Sequence, residues 1–283
     1  VQRLLVFTDL DGTLLDTSTF SWEPARPALA ALRDSGAVLI PATSKTRAEV
    51  RQLQAVLGAG SAAIVENGAA IFGHAGWLRP PGAVDRVDGG WDLPLGPEHE
   101  RVVAALDIIA RRLAVQIRPL SRMSEDEAVA ATGLRGSELH AARQRRHSEP
   151  FLAPEAELED LRSVAGELDL EVTAGGRFFS IGGLLDKGDA AQLLTSTCSG
   201  EEGTAVSVGL GDSLNDASLL RAVDYPVLIP KPDGTHDPSV LGVSVRLCLA
   251  DQPGPAGWAA AILAILDCWR SGSLNPQTER LQT

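Results

Sequence analysis

Residues 4–8 form a short apolar run that empties directly into Asp9-Leu10-Asp11-Gly12-Thr13. This junction constrains the fold more than any other part of the chain. An apolar run without alternating polar positions reads as a strand buried on both faces, the kind found in parallel sheets covered by helices. The two acidic residues beyond it then lie at the carboxyl end of that strand, where open α/β sheets gather their ligands.

The pattern repeats downstream. Pro24 to Ser35 reads as a helix with proline near its start and Gly36 as its C-cap. Ala37 to Ala42 is the next apolar run, with Pro41 placed where the strand is ending. A helix over Thr46 to Leu57, a glycine-rich turn and a strand over Ala62 to Val65 follow. Strands alternating with helices predict an α/β fold with a parallel, Rossmann-like sheet.

The rhythm then breaks. Residues 79–97 are rich in proline and glycine and read as a linker. Beyond them the sequence predicts a helix over 98–114, a short strand at Val115 to Ile117, and a helix signed by a capping box of Ser124 and Glu127. A helix over 137–146, a strand over 148–152, a helix over 154–167 and a hairpin of Leu170–Thr173 with Arg177–Ile181 complete an α+β block. From Lys187 the α/β rhythm returns, with strands at 205–208, 227–229 and 245–250, helices at 187–197, 213–222 and 258–269, and a polar tail from Ser271. The simplest architecture is a core of residues 1–78 and 187–283 interrupted by an inserted α+β cap of residues 79–186.

A length of 283 residues allows two such domains. The formal charge of −12 gives no electrostatic drive toward nucleic acid or anionic membranes, so neither is expected as a partner. No stretch is apolar for the roughly 18 residues a membrane span needs. The three cysteines are widely spaced without a metal-ligand pattern and read as reduced thiols, which points to the cytoplasm.

Polar clusters fall at the predicted strand ends: Asp9 and Asp11, then Thr43, Ser44 and Lys45, then Gly211-Asp212-Ser213-Leu214-Asn215-Asp216, with Lys187 opening a core helix. A carboxylate can attack phosphorus without prior deprotonation, but it must approach an anionic group, and a divalent cation removes much of that repulsion. Asp9 is the candidate nucleophile. Asp9, Asp212 and the backbone carbonyl of Asp11 offer the hard oxygens that suit Mg2+. Asp11 can protonate a leaving alkoxide and later take a proton from water. Thr43 can bond a phosphoryl oxygen, Lys187 adds positive charge, and Asp216 can orient Lys187 or a metal water. Gly12, Ser44, Ser213 and Asn215 are read as support for the phosphate. Each cluster alone also fits a bland role: an Asp-x-Asp-Gly-Thr is often a turn, and Ser44-Lys45-Thr46 is also a helix N-cap. Arg143, Arg145, Arg146 and His147 fit either a solvated helix end or an anion clamp. Gly254 to Trp258 reads as a loop and helix start, with Trp258 as packing.

The four clusters, in this order, resemble the haloacid dehalogenase-like phosphatases, and the large insert between Thr43 and Lys187 resembles the sugar-phosphatase branch. A closer resemblance, to the mannosyl-3-phosphoglycerate phosphatase family, rests on several segments. These are Ser44-Lys45-Thr46-Arg47-Ala48-Glu49, Val65-Glu66-Asn67-Gly68-Ala69, Arg145 with Ser148-Glu149, Gly175-Gly176-Arg177-Phe178-Phe179, Val208 through Asp216, and Gly254-Pro255-x-Gly257-Trp258. The chain departs from the family at Arg146 and His147, where an acidic residue and a tyrosine are expected. The resemblance implies hydrolysis of mannosyl-3-phosphoglycerate to the compatible solute mannosylglycerate, with Arg145, Ser148, Glu149 and Arg177 of the cap as substrate contacts. The glucosyl ester is the nearest alternative, and a phosphomutase or a non-catalytic sugar-phosphate binder are the competing classes.

Overall fold

The computed structural model describes residues 2–57, 62–87, 89–175, 177–199 and 204–274. The glycine-rich turn at 58–61, Gly176 in the predicted hairpin and the tail beyond Leu274 lie outside them.

The chain begins with β1 (Arg3–Thr8), α1 (Arg26–Ser35), β2 (Val38–Pro41) and α2 (Arg47–Leu57), followed by β3 (Ala62–Val65), β4 (Ala70–Gly73), β5 (Val84–Asp85) and β6 (Trp91–Pro94). The insert comprises α3 (His99–Leu113), β7 (Arg118–Pro119), α4 (Glu125–Thr132), α5 (Gly136–Ala142), β8 (Glu149–Leu152), α6 (Leu158–Gly166), β9 (Glu171–Gly175) and β10 (Phe178–Gly182). The chain then returns through α7 (Lys187–Ser199), β11 (Ala205–Gly211), α8 (Ala217–Ala222), β12 (Tyr225–Leu228), β13 (Cys248–Leu249) and α9 (Gly254–Arg270).

The central sheet is parallel, in the order β13-β12-β11-β1-β2. Alternation along β1 sends Leu4 and Val6 to one face and Leu5 and Phe7 to the other. The first pair packs with Leu29 and Leu32 of α1 and with Trp258 and Ile262 of α9, and the second with Leu194 of α7 and Leu219 of α8. Helices on both faces explain why Leu4 to Phe7 of β1 are apolar without interruption. The order of strands reverses beside β1, which opens a crevice at the carboxyl ends of β1 and β11. Gly36 caps α1 in the left-handed conformation, and Pro41 pairs with Thr8 at the last position of β2, as the sequence predicts.

β3 departs from the expected parallel rhythm. It touches β2 through the single bridge Ala42–Ile64 and otherwise pairs antiparallel with β4, in a sheet ordered β3-β4-β6-β5. The stretch read as a linker therefore contains β5 and β6. Ala83, Trp91 and Leu93 from it pack in the same cluster as Leu5 and Phe7. β5 is a two-residue edge strand and β6 meets its proline only at its last position, so the surrounding proline and glycine disguise them.

In the insert, an antiparallel sheet ordered β7-β8-β10-β9 carries α3 and α6, whose Val102, Leu106, Ile109 and Leu161 pack on Phe151, Val172 and Ile181. The Ser124–Glu127 capping box is present. The predicted strand at 115–117 is displaced to β7, because Ala114 takes a left-handed conformation (φ 54°) that turns the chain after α3. The predicted helix over 137–146 ends at Ala142, and the chain beyond it bonds to the core. Gly254 belongs to the first turn of α9, with Pro255 behind it. The two crossings between core and insert run side by side: a Cβ on Gly183 would stand 2.9 Å from Cδ of Pro97. Among the described residues no helix is long and apolar enough to cross a membrane.

Candidate active site

Strand register assembles the site. Thr8 lies opposite Leu210 on one side and Pro41 on the other, so Asp9, Gly211-Asp212 and Ala42-Thr43 leave the sheet together. The N–H of Asp9 donates to the carbonyl of Leu210 at 2.9 Å, and the N–H of Ala42 to that of Thr8 at 2.8 Å. Gly12 turns the chain at φ 84°, and a Cβ there would lie 2.7 Å from Oδ2 of Asp212. Only glycine satisfies both the left-handed backbone and that approach.

Lys187 opens α7 and is 1% exposed. Its ammonium donates to Oδ1 of Asp9 at 2.7 Å and to Oδ1 of Asp216 at 2.7 Å. The other oxygen of Asp216 accepts the N–H groups of Asp212 (3.1 Å) and Ser213 (3.3 Å) and the Ser213 hydroxyl (3.3 Å). Asp216 is thus a brace with both oxygens engaged. Carboxylate oxygens of Asp9, Asp212 and Asp216 lie within 4.8 Å of one another.

One ammonium does not balance three carboxylates there. Burial and then the neighbouring Asp216 push the Asp9 carboxyl well above its ordinary range, and the same two causes raise Asp212 to about 7. Burial alone would lower Lys187, but Asp216 and Asp9 outweigh it and hold the ammonium above its ordinary value. A surplus of buried negative charge on hard oxygens fits a divalent cation. Asp9 and Asp212 have the free oxygens to hold it, since those of Asp216 are engaged.

Thr43 is 1% exposed and accepts the N–H of Lys45 at 3.2 Å. Lys45, quoted in the sequence motif without a role, forms an ion pair with Oδ2 of Asp11 at 2.7 Å and lies 5.7 Å from the ring centre of Phe20. Oδ1 of Asp11 is buried without a partner. Asn215 donates to the side-chain oxygen of Asn67 at 2.9 Å.

A cleft of about 990 Å³ separates these residues from the insert. Asp11, Ser44, Lys45 and Asn215 line it from the core, and Arg145 and Arg177 from the cap. Arg145 donates to the Ser44 carbonyl and the Ser148 hydroxyl, both at 3.0 Å, and its Nε is buried without a partner. Arg177 bonds the Ala131 carbonyl at 3.1 Å. Ser148 and Glu149, expected beside them, do not line this cleft. The Ser148 hydroxyl donates to Glu66 at 2.6 Å, while Glu149 is 1% exposed and accepts from His99 (2.6 Å) and the N–H of Ser121 (2.7 Å). Of their basic neighbours, Arg143 bonds the carbonyls of Met123 and Ser124, Arg146 pairs with Asp92, and His147 meets the Pro97 carbonyl.

Two further connections escaped the sequence reading. Trp258, expected only to pack, donates from Nε1 to the Thr8 hydroxyl at 2.9 Å, and Thr8 donates to the Asp9 carbonyl at 2.7 Å. Glu66 receives three donors from the cap. Its place in Glu66-Asn67-Gly68, a turn-forming triplet after a strand, is the signal that could have drawn attention to it.

Residues 6–77 match the haloacid dehalogenase-like hydrolase family. The chain is 35% identical over 273 residues to a glucosyl-3-phosphoglycerate/mannosyl-3-phosphoglycerate phosphatase of Methanococcoides burtonii, across 94% of this chain and 98% of that protein. A protein of the same description from Persephonella marina is 34% identical over 267 residues, across 93% and 97%. A crystal structure from Thermoplasma acidophilum superposes with a TM-score of 0.68 at 16% identity, over 94% of this chain and 99% of that one, which shows the shared fold. With the carboxylate cluster at the strand ends beneath an inserted cap, these likenesses establish that the chain belongs to the haloacid dehalogenase-like hydrolases, as a phosphoric monoester hydrolase of the sugar-phosphatase branch related to the glucosyl/mannosyl-3-phosphoglycerate phosphatases.

Proposed function

We propose that this protein hydrolyses both glucosyl-3-phosphoglycerate and mannosyl-3-phosphoglycerate, releasing phosphate and the glycosylglycerate, a compatible solute. The observation that carries this reading is the cleft itself: Asp11, two residues beyond Asp9, and Asn215 line its core end, and Arg145 and Arg177 stand on its cap wall. Such an arrangement suits a substrate with a phosphate at one end and a carboxylate beyond it. The relatives at 35% and 34% identity carry both substrates in their names. The cap of this reading runs from Pro97 to Gly182, because β6, to which β5 is paired, packs on the core through Trp91 and Leu93.

In the first step the free oxygen of Asp9 attacks phosphorus while Lys187 holds Oδ1 and stabilises the developing charge. The P–O bond to the glycerate oxygen breaks, Asp11 protonates that oxygen, and an aspartyl phosphate remains on Asp9. Lys45 holds Asp11 through Oδ2 and leaves Oδ1 free for the proton. In the second step water attacks the phosphorus, Asp11 takes its proton, and Asp9 is regenerated. Thr43 and Ser44 donate to the phosphoryl oxygens, and Gly12, Ser213 and Asn215 keep the surrounding loops in place. Magnesium held by Asp9, Asp212 and the Asp11 carbonyl would neutralise charge as the two anions meet.

The test is kcat/KM with magnesium on both phosphoglycerate esters and on a panel of hexose phosphates. The two esters are expected to lead the panel together. Preference for a hexose phosphate lacking the carboxylate would overturn the substrate assignment.

A further inference from the structure

Glu66 is a carboxylate 3% exposed, on a turn where three consecutive residues have positive φ: Glu66 (50°), Asn67 (60°) and Gly68 (101°). That backbone is uncommon for glutamate and persists only where the surroundings hold it. The turn is held from both sides. Its N–H groups at Glu66 and Asn67 donate to the carbonyls of Lys45 (3.0 Å) and Thr43 (2.9 Å), and Asn67 receives the amide of Asn215. A Cβ on Gly68 would stand 2.1 Å from the carbonyl carbon of Asp186, one residue before Lys187.

The Glu66 side chain points the other way, into the cap. Oε1 accepts the N–H of Arg146 at 3.0 Å, and Oε2 accepts the N–H of His147 at 3.0 Å and the Ser148 hydroxyl at 2.6 Å. These donors follow Arg145, whose guanidinium lines the cleft and has an unpartnered buried Nε. A buried carboxylate stripped of water depends on such donors, so the attachment is directional and strong.

We propose that Glu66 is a positioning residue that sets the cap against the phosphate site and thereby places Arg145 for the part of the substrate beyond the phosphate. The inference rests on the reading of the protein as a capped sugar-phosphate phosphatase. The cap segment, Thr43 and the loop of Asn215 take their positions from one turn. Loosening the cap side therefore disturbs recognition of the substrate's far end and leaves phosphoryl transfer intact.

The test compares kcat/KM on the sugar phosphate that the wild type turns over best with kcat/KM on p-nitrophenyl phosphate, whose small leaving group has no carboxylate for Arg145. Glu66→Gln keeps the volume but must set an N–H against at least one cap donor. It is expected to lower the ratio of the two values by about tenfold, through KM and with kcat retained. Ser148→Ala removes one donor of three together with the hydroxyl that accepts from Arg145, and is expected to shift the ratio in the same direction. Equal losses on both substrates, or an unchanged ratio, overturn the proposal. If Glu66→Gln does not fold, an unchanged ratio in Ser148→Ala overturns it alone. A best substrate other than the phosphoglycerate esters would count against the substrate assignment, and the ratio would still decide the role of Glu66.

Discussion

Replacing Thr8 by valine removes one hydroxyl from directly behind Asp9. Thr8 is fully buried, accepts from Nε1 of Trp258 at 2.9 Å and donates to the Asp9 carbonyl at 2.7 Å. Valine fills nearly the same volume, so the change is chemical and leaves no cavity. It strands the indole N–H, which costs about 1–3 kcal/mol, and deletes a hydrogen bond worth about 1 kcal/mol, for a loss of about 2–4 kcal/mol. At about 2–4 °C per kcal/mol for chains this large, the melting temperature should fall visibly. The decisive assay is a double-mutant cycle by urea unfolding with Thr8→Val and Trp258→Phe. Once the indole N–H is gone, Thr8→Val no longer strands a donor, so the double variant should be less destabilised than the sum by about 1–2 kcal/mol. Strict additivity, or a Thr8→Val protein as stable as wild type, would refute the hydrogen-bonded strut.

Three further outcomes follow from the same geometry. Gly12→Ala should fold but lose most of its turnover, because the new Cβ meets Asp212 at 2.7 Å on a left-handed backbone; phosphate release and circular dichroism check this. Asp216→Asn weakens the brace of Lys187 and the Asp212 loop, and should lower metal affinity or activity by about 10–100-fold in a magnesium titration. His99 is raised above its ordinary 6.5, chiefly by its hydrogen bond to Glu149. The stabilisation from that pair is complete below the ordinary value and is lost as pH rises through the raised one. The melting-temperature gap between wild type and His99→Gln should therefore narrow from pH 6 to pH 9, and a gap that widens would contradict the assignment.

The parts legible in the sequence are those where one strand decides the chemistry. Leu4 to Phe7 of β1 are apolar because helices cover both faces, so the end of the strand, and with it Asp9, could be located from a handful of residues. The same holds for Asp212 after β11. Lys187 was legible as the opening residue of a core helix, although its position between Asp9 and Asp216 depends on packing. The antiparallel β4–β6 segment was hidden because β6 ends in Pro94 and β5 is only two residues long. Ser148 and Glu149 shared a motif with Arg145, yet their side chains are spent on Glu66 and on His99 and Ser121 and neither lines the cleft. No local pattern reports that Trp258 bonds a residue 250 positions earlier. The turn triplet marks Glu66 but not its partners, which lie 80 to 82 positions away in the insert.

The central claim is that Asp9 takes the phosphoryl group. Acid-quenched single turnover of a substrate carrying a radiolabelled phosphate, with magnesium present, measures it most directly. The account predicts a transient label on the peptide containing Asp9, released by hydroxylamine as an acyl phosphate is, and neither label nor turnover in Asp9→Asn. Label on another residue, or an Asp9→Asn protein that turns over at the wild-type rate, would contradict it.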